Sequence, residues 1–257
     1  MVDFLKNMQN NNDFINYNMY NPFLLKGMKD ALYRIIKAIN DREKIVIYGF
    51  YDVDSITAIS LLMLVLKFVN ADVEYFIPGE LSESRDLLEK DITGHIKYLG
   101  PGLIITLGCG INSLSEVELC KSIGIDVIIT DFHKPVNNVP GTIVVNPNQK
   151  GCNYPFKELC TSGMTFKLAQ AISAYYKMNS VNKYMDLVML GTIYSRKKIE
   201  SENKIIAEEG IKQLRCTTNY GICALLKIHN VIIISEETVF KLASTLMPTI
   251  NPVGRMD

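Results

Sequence analysis

Residues 48–55 read YGFYDVDS and follow the apolar run KIVI. Asp52 and Asp54 stand one residue apart where a buried strand ends. Paired carboxylates hold hard divalent cations through oxygen. They equally suit the start of a helix, where unpaired N–H groups and the helix dipole favour negative charge. Position 50, however, is Phe, which offers a metal no ligand atom. Two more strand ends bear on the same chemistry: LGCG after residue 106, with Gly108, and DFHKP after residue 130, with Asp131, Phe132 and His133. A fourth segment, GTIYSRKK, ends on Ser195, Arg196, Lys197 and Lys198. Ligands of open parallel sheets sit outside the carboxyl ends of the strands, so convergence of these loops would make one pocket.

The elements that must position them are legible as hydrophobic periods. FLLKGMKDALYRIIKAI has helical spacing and KIVIYG is a short buried strand. SITAISLLMLVLKFV predicts a helix, DVEYFIP and GLIITLG predict strands, and INSLSEVELCKSIG predicts a helix with Gly124 at its end. IDVIIT and TIVVN complete the strands. Strands alternating with helices imply an α/β fold, a parallel sheet with helices on both faces. Beyond residue 157 five helical segments follow, SGMTFKLAQAISAYYK, VNKYMDLVMLGTIY, ENKIIAEEGIKQLR, GICALLKI and SEETVFKLASTLM. The expected organisation is an Asn-rich polar lead-in over 1–20, an α/β part over 21–157 and a mainly helical part over 158–257, packed as one unit.

Bulk composition narrows the classes. A chain of 257 residues can bury a full core. Lys plus Arg and Asp plus Glu are both 27, so any nucleic-acid surface must be local. No apolar run approaches the ~20 residues of a bilayer span, and no secretory signal is visible. The six Cys lack a C-x-x-C pair and there are three His, which argues against structural zinc and a disulfide framework. Buried free thiols in a reducing cytoplasm are expected.

The four segments, in this order, resemble the DHH phosphoesterase superfamily, and within it the RecJ-type single-strand exonucleases. YDVDSITAISLL resembles the first motif, D-Y-D-x-D-G-[IV]-T; LIITLGCGI the second, T-x-D-C-G; GIDVIITDFHKP the third, D-H-H-x-P; and GTIYSRKKI the fourth, G-T-[VI]-A-D-V-V-P-L. YPFKELCTSGMTFKLAQAI and the ending INPVGRMD are similar to further RecJ segments. The resemblance implies a DHH domain, a carboxylate and histidine cage for two Mn²⁺ or Mg²⁺ ions, and phosphodiester hydrolysis by an activated water.

Against that pattern Asp52, Asp54, Asp131 and His133 remain, while four ligand positions have become Phe50, Gly108, Phe132 and Ser195. By resemblance, two of these four bridge the ions, and Asp131 and His133 are not primary ligands. By the same resemblance Glu80 stands where a substrate-side Arg is expected, Arg85 lies in an altered loop, and the Gly-Gly-His motif of a DHHA1 lobe does not occur within these 257 residues. Two dications held by so little charge would repel, so no resident cofactor is expected and at most a weak Mn²⁺ or Mg²⁺ on Asp52 and Asp54. The expectation is a catalytically degenerate binding or scaffold module in DNA replication, recombination or repair, with a protein partner, or single-stranded DNA on a local basic patch. Two rivals stand: a phosphoesterase with an atypical ligand set, and a metal-free phosphate or nucleotide sensor using Arg196, Lys197 and Lys198. Phe50 and Phe132 are expected to fill the emptied cage with apolar bulk, and His133 has no carboxylate partner visible in the sequence.

Overall fold

The computed structural model describes residues 19–78, 86–136 and 138–246. Glu80, Arg85, the segment INPVGRMD and all but two residues of the expected lead-in fall outside them. Five strands, β1 Lys44–Gly49, β2 Val73–Phe76, β3 Pro101–Leu107, β4 Asp126–Thr130 and β5 Ile143–Val145, form one parallel sheet in the order β2-β1-β3-β4-β5. The helices are α1 Met28–Asn40, α2 Val53–Phe68, α3 Glu89–Gly94, α4 Leu114–Ser122, α5 Thr161–Tyr176, α6 Met185–Tyr194, α7 Ser201–Arg215, α8 Tyr220–Ile228 and α9 Glu236–Ser244.

Strand side chains alternate between two cores, as a pleated strand requires. Ile45, Ile47, Leu103, Ile105 and Ile128 face α1, α2 and the helices from α5 onward. Val46, Tyr48, Ile104, Val127 and Ile129 face the other side, under α3 and α4. The larger core draws residues from Met19 to Ala243, so the α/β part and the helical part share one interior. α2 packs on both α5 and α6. Because α2 starts at the carboxyl end of β1, it runs back toward the amino ends of the strands.

Two expectations change here. The first helix does not run from residue 23: a 3-10 turn, Pro22–Leu24, precedes α1, and the break is Gly27. Gly27 has φ +81, and a Cβ there would sit 2.2 Å from Val144 O, so only glycine fits against β5. Residues 19 and 20 are not lead-in. Met19 is buried, and the Tyr20 backbone is clasped at both groups: its N–H donates to Glu202 Oε1 (3.0 Å) and its carbonyl accepts from Lys167 Nζ (2.9 Å). Lys167 and Glu202 form a fully buried ion pair at 2.5 Å, and Tyr154 O–H donates to Glu202 Oε2 at 2.7 Å.

Candidate functional site

The carboxyl ends of β1, β3 and β4 do meet α2, α5 and α6, but the residues there are committed to the fold. Asp52 is the N-cap of α2 and accepts from Ser55 N–H at 2.7 Å, as its position before the helix predicted. Asp54 does something else. It is buried, and its two oxygens accept from Thr161 N–H and Ser162 N–H, both at 2.8 Å. These are the first N–H groups of α5, whose own N-cap, Cys160, supplies no side-chain bond. A carboxylate from α2 therefore caps a helix 107 residues away. Burial pushes the Asp54 carboxyl above its ordinary range, the Ser162 N–H opposes this, and the charge of Asp52 adds to the rise.

Hydroxyls fill the surroundings of Asp54. Ser162 O–H donates to Val188 O (3.1 Å) and Thr57 O–H donates to Val53 O (2.9 Å). Gly191 of α6 lets the three helices close on this point, since a Cβ there would lie 2.5 Å from both Ser162 Oγ and Thr57 Oγ1 and 2.8 Å from Asp54 Oδ1. Gly108, where the resemblance expects a bridging Asp, has φ +71 and abuts α5: a Cβ would meet Thr161 Oγ1 at 2.3 Å.

Asp131 is fully buried and saturated. Its Oδ1 accepts from Phe132 N–H (2.7 Å), His133 N–H (3.0 Å) and His133 Nδ1 (2.7 Å), and its Oδ2 accepts from Ile111 N–H (3.1 Å). His133 thus has a carboxylate partner, two residues upstream, contrary to the sequence reading. Asp131 fastens the loop after β4 to the loop after β3.

The two aromatic replacements do not fill one cage. Phe50 is buried in the core under α3 and α4, edge-on to Tyr48 with ring centroids 6.0 Å apart. Phe132 packs on the opposite core and stacks on His133 at 4.2 Å. The cations after α6 also diverge. Lys197 Nζ lies 4.6 Å over the Phe132 ring and 3.7 Å from Glu158 Oε2, whereas the Arg196 guanidinium lies 4.9 Å over Phe240 of α9. Ser195 O–H donates to Thr192 O at 2.8 Å, and Lys198 offers its carbonyl to Asn203 Nδ2 at 3.0 Å. Of the three candidate phosphate binders, only Lys197 touches a residue of the third motif.

Sequence reasoning missed Thr161, Ser162 and Gly191. One signal pointed to them: a helix opening on CTSG without Asp, Asn, Ser or Thr at its cap needs an outside acceptor. The thiols are also less uniform than expected. Cys109, Cys120 and Cys160 are buried, Cys152 and Cys223 partly so, and Cys216 is exposed. Burial raises the Cys160 thiol to about 12.

This donor set does not fit two divalent ions. Both oxygens of Asp54 and of Asp131 already accept backbone N–H groups, and the space beside Gly108 belongs to Thr161. Among the described residues no group of three or more His, Cys, Asp or Glu side chains is arranged to hold a metal ion.

A five-stranded parallel sheet with motif loops at its carboxyl ends and a helical second half is the architecture of a DHH domain. Residues 44–192 match the DHH family, N-terminal domain, and the chain belongs to that family. It is 40% identical over 242 residues to the single-stranded-DNA-specific exonuclease RecJ of Bacillus subtilis, covering 93% of this chain and 30% of that protein. The corresponding exonuclease of Haemophilus influenzae is 30% identical over 251 residues, covering 93% and 43%. A crystal structure of exonuclease RecJ bound to manganese is similar with a TM-score of 0.77 at 27% identity, over 85% of this chain and 56% of that one. The chain spans less than half the length of these curated relatives.

Proposed function

We propose that this RecJ-like DHH domain acts as a binding or scaffold module in DNA metabolism, with its former metal cleft turned into a structural junction. The observation that carries the reading is Asp54: a buried carboxylate whose two oxygens serve as the cap of α5. The N-terminal end of a helix supplies the positive potential that a cation would otherwise supply. The connection to DNA comes from the relatives, which are named for single-stranded-DNA-specific exonuclease activity.

Titration of the 257-residue chain with Mn²⁺ in a calorimeter tests this, alongside a single-strand nuclease assay. The reading expects no saturable heat at millimolar-scale Mn²⁺ and no metal-stimulated hydrolysis. Two ions bound tightly, with both binding and hydrolysis abolished by Asp54→Ala, would overturn it in favour of the phosphoesterase. One observation favours a reduced form of the sensor reading, the ammonium of Lys197 over the Phe132 ring, which in turn stacks on His133. That reading expects phosphate to raise the melting temperature without metal, and the rise to vanish in Lys197→Ala.

A further inference from the structure

The two outer strands of the sheet end differently. β5 is sealed: Gln149 Nε2 donates to the outward carbonyl of Val144 at 2.8 Å, and Gly27 abuts the same oxygen. β2, at the other edge, pairs only with β1. Ile45 N–H donates to Asp72 O at 2.8 Å, and in a parallel ladder the backbone groups that face the neighbour alternate along the strand. The groups of Glu74 and Phe76 therefore face β1, and those of Val73, Tyr75 and, next in line, Ile77 face away from it. Among the described residues nothing hydrogen-bonds to these outward N–H and C=O groups.

Free sheet edges are ordinarily guarded by unpaired charge, proline or a bulge, because the open backbone is a template for another strand. Val73–Phe76 has no proline and pairs with β1 without a register shift. Its one charge, Glu74, is held by Lys44 at 2.6 Å, and the same ammonium lies 3.5 Å from Asp72. What the edge presents instead is apolar. Tyr75 stands on the α2 face of the sheet beside Ile47 and is 56% exposed, and α2, which packs on β2, adds Phe68 in its last turn, 57% exposed.

We propose that this edge docks a second copy of the chain, β2 pairing antiparallel with β2 across a two-fold axis at Tyr75, so that two five-stranded sheets become one. The sequence of the edge selects both the occupant and the register. An axis at Glu74 sets the two Glu74 side chains opposite each other, and an axis at Val73 sets Glu74 opposite Asp72, like charges in both cases. An axis at Tyr75 places Glu74 opposite Phe76 and pairs Tyr75 with Tyr75 and Val73 with Ile77, every one of them a residue with outward donor and acceptor. The chain also carries 27 cationic and 27 anionic side chains, so two copies meet without net repulsion. The inference goes beyond the binding-module reading and does not depend on the state of the cleft.

The test is sedimentation velocity of the 257-residue chain over a micromolar concentration series. The wild type is expected to pass from monomer to dimer. Tyr75→Lys, a change at an exposed side chain, is expected to weaken association about tenfold by replacing an aromatic pair with two like charges, at an unchanged melting temperature. Tyr75→Pro removes an outward N–H that β1 does not use, a position where an edge strand tolerates proline, and is expected to leave a monomer. Tyr33→Lys, at an equally exposed tyrosine of α1 beyond the other edge, leaves association unchanged. The register has its own readout. Directly opposite residues of a hydrogen-bonded antiparallel pair lie about 5.5 Å apart at Cα, within the disulfide range. Tyr75→Cys in a Cys216→Ser background, treated with oxidised glutathione, should therefore cross-link to a covalent dimer. A monomer at every concentration overturns the proposal. So does a dimer that Tyr75→Lys leaves intact, or one whose Tyr75→Cys copies fail to cross-link, which assigns the contact to another surface and leaves the edge to a strand of a different protein. None of these outcomes bears on the metal calorimetry, so the two readings fail separately.

Discussion

Asp54 holds a buried carboxylate against two N–H groups and neighbouring hydroxyls, with the charge of Asp52 close by, and the prediction for the cleft follows from that side chain. Removing it in Asp54→Ala orphans two N–H groups of α5, and the loss of such a cap is expected to destabilise by about 1–2 kcal/mol, read as a lower urea midpoint. Its titration gives a signed prediction. The folded carboxyl titrates above the ordinary value of 3.8, so in the window just above 3.8 the folded state binds more protons than the unfolded. Stability contributed by this group is therefore present below 3.8 and lost as pH rises through the folded value. On acidification into that window the wild type should gain stability relative to Asp54→Asn, and above the window the difference should be flat. A second residue-scale prediction concerns Gly108. Introducing the carboxylate that the resemblance expects, in Gly108→Asp, strains a left-handed backbone and drives Cβ into Thr161, so the variant should lose ~1–3 kcal/mol of stability, read as a lower melting temperature, and gain no Mn²⁺ binding. The role of Asp52 was legible because an N-cap is a bond across three residues. The roles of Asp54 and Gly108 were not, because their partner is the start of α5, over 50 residues beyond one and over 100 beyond the other.

The helices around this point are held by close approach more than by their own propensity. α6 reads MDLVMLGTIY, apolar nearly all round, which signals full burial. Its one gap is Gly191, pressed between Thr57 and Ser162. Gly191→Ala should therefore separate α6 from α2 and α5 and lower thermal stability by about 1–3 kcal/mol, the scale of an overpacked core. An Ala in an exposed helix would instead stabilise relative to Gly, so the sign of the change in melting temperature is itself the test. Strong periods made the five strands and the helices of the second half readable from sequence, to within a few residues. α3, of six residues, went unread because so short a helix carries too few turns to show a period. Gly27 misled in the other direction. A single glycine inside a helical pattern is usually tolerated, and only the β5 backbone beside it shows why the helix must break there.

At the scale of the molecule, the buried Lys167–Glu202 pair joins α5 to α7, and Tyr154 adds the connection after β5. Desolvation lowers the Lys167 ammonium, and Glu202 opposes it. Removing one partner leaves the other charged and buried, so Lys167→Met should cost about 3–5 kcal/mol, while the double change with Glu202→Leu should recover much of it. A core shared from Met19 to Ala243 further implies that a strand probe and an α7 probe unfold in a single urea transition. One practical consequence concerns where this chain can be trimmed. The expected polar start suggested a clean cut near residue 20, yet Tyr20 contributes the N–H and the carbonyl that complete the solvation of Glu202 and Lys167. A protein started at Asn21 would keep the ion pair and lose two of its hydrogen bonds. Crystallisation and binding work that shortens the front end should therefore stop before Met19, or it will trade a few awkward residues for a destabilised interior.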